Sequence, residues 1–222
     1  MPQSGPPLLM AYYPDWIGPS FPPEKIDFGR FDWVDFAFAV PDSNFNITWD
    51  NPDLAPNLLS RLVTSAHSRG KHVKLSVGGW TGSKYASLLF HNRHPLSISH
   101  RYFSPAVATD QSRQAFVTNI LALYDFFNLD GIELDWEYPG QEGNQGNLVD
   151  PNDSSNFLLF LQLLRKVLPP SARITAATQP STFVDSHGQP LVDVSVFASV
   201  LNWILVMNYD AWGCKRIVLP IF

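Results

Sequence analysis

Two rhythms of apolar residues alternate along this chain. Short, almost unbroken apolar runs occupy residues 8–14, 33–40, 72–79, 131–137, 173–179 and 203–210. Runs of that length and composition predict strands covered on both faces. Longer amphipathic stretches lie between them. Residues 56–70 open on Pro56 and close on Gly70, a start and a stop signal for a helix. Residues 110–127 form a second stretch, with Asp110 as its expected N-cap. A third covers residues 153–168, capped by Asp153 or Ser154 and stopped by Pro169 and Pro170.

Repeated strand–helix–strand order predicts a parallel sheet under a layer of helices. An open doubly wound sheet and a (β/α)8 barrel both fit that order. In the first, a Gly-rich phosphate loop should follow the opening strand, but Tyr12-Tyr13-Pro14-Asp15-Trp16 stands there. Polar and aromatic residues gather instead at the carboxyl ends of nearly every strand: Tyr13, Gly78-Gly79-Trp80, Asp135 with Glu137, and Tyr209 with Asp210. In a barrel those ends share the face that carries active sites. The expected fold is α/β, a TIM-type (β/α)8 barrel, with its first six β/α units legible in one domain over residues 1–222.

Composition narrows the classes of function. With 222 residues, 45% of them hydrophobic and 16% charged, the chain is globular in type. A net charge of −5 without any Lys/Arg cluster gives no footprint for nucleic acid or an anionic membrane. No run approaches the ~18 apolar residues of a membrane span. Aromatic residues make up 14%, including seven Trp, which suits stacking on sugar rings and suits an ordinary core as well. The single Cys214 excludes an internal disulfide. The opening MPQSGPPLLM shows no secretory pattern, so the default expectation is intracellular, or secreted if the N-terminus is incomplete. On that default the sequons at Asn46 and Asn152 are chance matches. His91 and His94 form an H-x-x-H pair, but Pro95 follows and no acid or Cys stands at ligand spacing. No metal and no cofactor are expected, and nothing in the sequence speaks to oligomeric state.

The residues that change the picture are in LDGIELDWEYPG, residues 129–140. Side chains alternate along a strand, so Glu133, Asp135 and Glu137 share one face while Ile132, Leu134 and Trp136 share the other. The apolar set can pack under helices, which turns the acidic set toward the barrel or its mouth. Same-face neighbours stand ~7 Å apart. Burying an unpaired carboxylate costs several kcal/mol, against a net stability of about 5–15 kcal/mol for a domain. Repulsion and desolvation together raise the pKa of at least one such group, leaving a proton on it near neutral pH, as a general acid requires. Glu137, nearest the carboxyl end, is best placed to reach a ligand. The alternative is a structural ion cluster with Lys74 or Arg173.

Three motifs together resemble the family 18 glycoside hydrolases, the chitinases and their relatives, and are most similar to the fungal chitinases. The family pattern D-x-x-D-x-D-x-E on the fourth barrel strand matches Asp130-Gly-Ile-Glu133-Leu-Asp135-Trp-Glu137. Its third-strand S-x-G-G matches Ser76-Val-Gly78-Gly79, followed by Trp80, and its sixth-strand M-x-Y-D matches Met207-Asn-Tyr209-Asp210. The resemblance implies hydrolysis of β-1,4-linked N-acetylglucosamine polymers, with chitin or chitooligosaccharides as substrate. It also implies a retaining mechanism in which the substrate supplies its own nucleophile, an exception to the two-carboxylate scheme. Glu137 would be the acid and base. Asp135 would orient the acetamido group, Tyr209 would hold its carbonyl oxygen, and Asp130 with Glu133 would form an inner relay. Trp80, Tyr12 and Phe38 would line the sugars, or serve as plain core aromatics. Gly79, Met207 and Asp210 join the substrate-binding set as motif neighbours. Silent saccharide-binding relatives usually replace the acid that here is Glu137.

The chain also departs from that family. Glu133 stands where the family has Asp, which lengthens the relay's reach by one methylene. Residues 86–102 read as an insertion, and the tail at 214–222 is atypical and stands where a seventh strand is expected; both resemble mis-spliced sequence. An incomplete barrel would leave the first and sixth strands as open edges. The corresponding expectation is poor folding or aggregation, with weak or absent hydrolysis.

Overall fold

The four central strands of the main sheet bury two different faces, and that duality organises the molecule. The computed structural model describes residues 7–49, 51–80 and 102–209. Seven strands are present among these residues: β1 (Met10–Pro14), β2 (Trp33–Pro41), β3 (Ile47–Trp49), β4 (His72–Gly78), β5 (Gly131–Asp135), β6 (Arg173–Thr178) and β7 (Trp203–Val206). Six run parallel in the order β1-β2-β4-β5-β6-β7, and β3 pairs antiparallel with β2 off that path. Among the described residues β1 and β7 each pair on one side only.

Outward residues of these strands form the main core. Val34, Phe36, Val73, Leu75, Val77, Ile132, Leu134, Ile174 and Ala176 are almost fully buried. They pack beneath α1 (Ala55–His67), α3 (Asp110–Phe127) and α4 (Asp153–Val167), whose inner stripes include Leu58, Leu62, Phe116, Ile120, Phe157 and Leu164. Each such side chain contributes ~1.5–3 kcal/mol when fully buried, so this sandwich of sheet and helices carries the fold. The short α2 (Phe103–Ala108) adds Phe103, whose ring stacks on Trp136 at 5.3 Å. A single turn, α5 (Ser195–Ala198), precedes β7.

Inward residues line a polar lumen: Asp35, Lys74, Ser76, Glu133 and Thr175 are all buried there. The sheet is strongly curled. Trp33 on β2 meets Trp203 on β7 edge-on at 5.5 Å, although β4, β5 and β6 stand between them in the sheet. This is the curled parallel sheet with outer helices of an incomplete TIM-type barrel, as the apolar pattern implied.

The local signals need corrections. Four strands end one to four residues before their apolar runs do, β4 at Gly78, β5 at Asp135, β6 at Thr178 and β7 at Val206, whereas β1 ends with its run and β2 one residue beyond it. The N-cap of α3 is Thr109, whose Oγ1 accepts from Ser112 N–H at 3.0 Å while Ser112 Oγ accepts from Thr109 N–H at 3.0 Å. Asp110 lies inside the first turn and accepts from Gln114. Asp153 does not cap α4. As its first residue it accepts instead from Asp150 N–H at 2.9 Å and Gly140 N–H at 3.3 Å, tying down the loop before it, and Ser154 makes no cap either. Strand β3 gave no pattern, being three residues beyond a turn closed on the Asp42 carboxylate. The insertion at 86–102 and the tail at 214–222 lie outside the described residues, apart from Tyr102, as do His91, His94, Asp210 and Cys214.

Candidate active site

The carboxyl ends of β4 and β5 are locked together by backbone. Gly79 N–H donates to Asp135 O at 2.9 Å. Gly78 has φ +127°, and a Cβ there would stand 2.0 Å from that same carbonyl oxygen. A Cβ on Gly79 would collide with the Phe38 ring at 2.8 Å. Only glycine permits this approach, which explains the Gly-Gly of the third barrel strand.

On β5 the acidic side chains enter the lumen while Ile132, Leu134 and Trp136 pack outward. Glu133 is completely buried; its Oε2 accepts from Ser76 Oγ and its Oε1 from Ala177 N–H at 2.8 Å. The added methylene of Glu over Asp lets one carboxylate reach both neighbouring strands. Asp135 is 5% exposed, and its Oδ1 has no hydrogen-bond partner. Glu137 is 7% exposed and sits just beyond the strand. The following loop folds back on it: Asn147 Nδ2 donates to Glu137 O at 3.2 Å, and a Cβ on Gly143 would stand 2.0 Å from that oxygen.

Burial dominates the electrostatics. Desolvation pushes Glu137 up to about 7, against the hydrogen bond from Tyr138 that favours its charged form. Desolvation also raises Asp135, with repulsion from Glu133 and Glu137 adding to it. Glu133 is raised by desolvation and by Asp35, with Lys74 opposing. At neutral pH this lumen holds protons that solvated carboxylates would release.

A cleft of about 530 Å³ opens over Asp135 and Glu137. Phe38, Trp80, Met207 and Tyr209 line it. Trp16, Tyr138, Gln179 and Pro180 also line it and were not anticipated. Tyr138 directly follows Glu137, Trp16 lies two residues beyond the end of β1 and Gln179 directly follows β6, so position alone could have found them. Tyr12 pairs with Asp35 in the β1–β2 register and its ring lies 6.3 Å from Phe38. Its hydroxyl is raised by desolvation and then by Glu133 and Asp135, which places it over the lumen although the residue is 39% exposed.

Asp130 departs from its expected place. It precedes β5, three residues from Glu133, and a period-two strand turns such a position to the other face and end. Its carboxylate accepts from Val73 N–H at 2.8 Å and meets His67 Nε2 at 2.8 Å and His72 Nδ1 at 3.4 Å. It clamps the foot of the barrel and belongs to no relay with Asp135. Lys74 enters the lumen, but its ion pair there, at 3.2 Å, is with Asp35 rather than with an acid of β5. Among the described residues no three His, Cys, Asp or Glu side chains are grouped to hold a metal ion, and no helix is long and apolar enough to cross a membrane.

A family model, glycosyl hydrolases family 18, matches residues 9–217. A protein described as a chitinase-like effector from Moniliophthora roreri is 35% identical over 95% of this chain and 47% of its own length. Its counterpart from Moniliophthora perniciosa is also 35% identical, over 93% of this chain and 43% of its own. The crystal structure of a chitinase from Rhizomucor miehei superposes with a TM-score of 0.77 at 32% identity, covering 91% of this chain and 57% of that one. The chain thus spans about half the length of the curated relatives it matches.

Proposed function

The chain belongs to glycosyl hydrolases family 18, and from that premise we propose that its lumen hydrolyses β-1,4-linked N-acetylglucosamine chains with retention of configuration. The observation that carries this reading is a buried Glu137 at the cleft, its pKa raised by desolvation, one pleat beyond a buried Asp135 with an unpartnered oxygen.

In the proposed sequence, Glu137 gives its proton to the glycosidic oxygen as the C1–O bond breaks. The 2-acetamido carbonyl oxygen of the same sugar bonds to C1, giving an oxazolinium ion. Asp135 Oδ1 accepts from the acetamido N–H and offsets the positive charge that develops there. Tyr209, at the rim, would orient the carbonyl. Water then attacks C1, the C1–O bond of the oxazolinium ring opens, and Glu137 takes the water's proton, restoring its starting state. Glu133 holds Asp135 in place from below through its bonds to β4 and β6. Trp16, Phe38 and Trp80 offer ring faces for sugars.

The test is cleavage of a fluorogenic chitobioside by the chain beside Glu137→Gln. Loss of proton transfer should lower kcat by about 10²–10⁴-fold, and undiminished cleavage would overturn the assignment. A second reading, saccharide binding without cleavage, is favoured by the description of two relatives as chitinase-like effectors. It predicts that chitooligosaccharide binds the unmodified chain in calorimetry and is recovered uncut.

A further inference from the structure

Lys74 is fully buried in the lumen. Its ammonium lies 3.2 Å from Asp35 Oδ2, donates to Thr175 Oγ1 at 2.6 Å and stands 5.0 Å from the centre of the Trp203 ring. Its backbone pairs with Gly131, one pleat below Glu133, whereas Thr175 pairs with Glu133 itself. The extended side chain therefore carries its charge up to the level of Glu133. Gly131 clears the path, since a Cβ there would stand 3.0 Å from Lys74 Cγ.

Among the described residues Lys74 is the one buried cation, and Asp35, Glu133, Asp135 and Glu137 are buried around the same lumen. Tyr12 faces it from β1, Ser76 from β4, Thr175 from β6 and Trp203 from β7. The other basic groups nearby turn elsewhere. His72 stacks on Trp33 and meets Asp130 at the barrel's foot, and Arg173 lies near enough to Arg165 to disfavour its charge. A single positive charge in a low-dielectric space acts on every carboxyl within several ångströms.

We propose that Lys74 is a positioning residue for the hydrolysis described above. Its buried charge fixes how many protons Asp35, Glu133, Asp135 and Glu137 share near neutral pH, and hence the pH range in which Glu137 has one to give. The inference rests on the hydrolytic reading for its consequence, but the charge balance itself can be read without turnover.

The experiment uses the 222-residue chain and its Lys74→Met, Lys74→Arg and Asp35→Asn variants, with Asp and Glu carboxyl carbons labelled by 13C. NMR titration follows the buried carboxyls, and chitobioside cleavage gives the pH–rate profile. Lys74→Met should move the buried titrations and both limbs of the profile up by about one pH unit. Asp35→Asn should move them down, the double variant should return close to the parent, and Lys74→Arg should restore the parent profile. A lysine that merely packs would lower stability or kcat with the titrations and limbs unmoved, and that result overturns the proposal. If Lys74→Met does not fold, a downward shift in Asp35→Asn still supports it and an unmoved titration refutes it. A parent chain that cleaves nothing refutes the hydrolytic reading, while the titrations still decide the role of Lys74.

Discussion

A methyl group at position 78 has nowhere to go. Its carbon would stand 2.0 Å from Asp135 O on a backbone at φ +127°, a conformation that costs a side chain about 1–3 kcal/mol before any clash. Gly78→Ala should therefore part the ends of β4 and β5. The expected result is a lower melting temperature, and a loss of chitobioside cleavage beyond what the unfolded fraction explains; circular dichroism and activity on one preparation check this. At this scale much of the site was readable. Glu133, Asp135 and Glu137 alternate with apolar residues, and period two alone sends them inward. Asp35 carries the same signal, one charge in the apolar run at 33–40, yet a single acid draws less notice than three. Asp130 misled because a motif read along the chain ignores that an odd offset reverses the face. Lys74 could be named from its strand as an ion partner, but its actual partners could not be read, because they lie 39 and 101 positions away.

Elements were legible where their patterns were long and blurred where side chains chose among partners. The six parallel strands and three long helices follow from period and from proline and glycine punctuation. The caps do not, because Thr109, Asp110 and Ser112 all can cap and only geometry selects Thr109. Thr109→Ala should lower unfolding free energy by about 1 kcal/mol. Asp110→Ala should cost only a few tenths, as one charge near a helix start. Urea denaturation of the two variants separates these cases. The loop between β5 and α4 was equally hidden. It holds Glu137 through Asn147 and is anchored by Asp153 on two backbone N–H groups, contacts that join positions three to thirteen residues apart with no repeating pattern.

For the molecule as a whole, the buried acids set the response to pH. Asp15 and Asp35 are raised to about 6 and Glu137 to about 7, in each case chiefly by desolvation, and Glu133 and Asp135 are raised as well. A carboxyl with a raised folded pKa contributes stability that is full below its unfolded value, near 4, and lost as pH climbs through the folded value. The opposite contribution comes from Glu24, Asp32, Asp185 and Asp193, whose partners lower them. These sit at the surface, where solvent and salt weaken them. The melting temperature should accordingly be higher at pH 5 than at pH 8, by several degrees, in scanning calorimetry. An equal or reversed order would mean that the lumen acids are solvated. The curl of the sheet was legible only as a choice of fold class, since pairing order is fixed by contacts between distant strands.

Two indole rings, Trp33 and Trp203, touch at 5.5 Å and 71° across that curl. Chromophores so close and so inclined couple their electronic transitions, and the coupling vanishes within a small separation. The pair is a built-in optical gauge of whether the sheet stays rolled. Its near-ultraviolet signature would fade on flattening even while every helix remained intact.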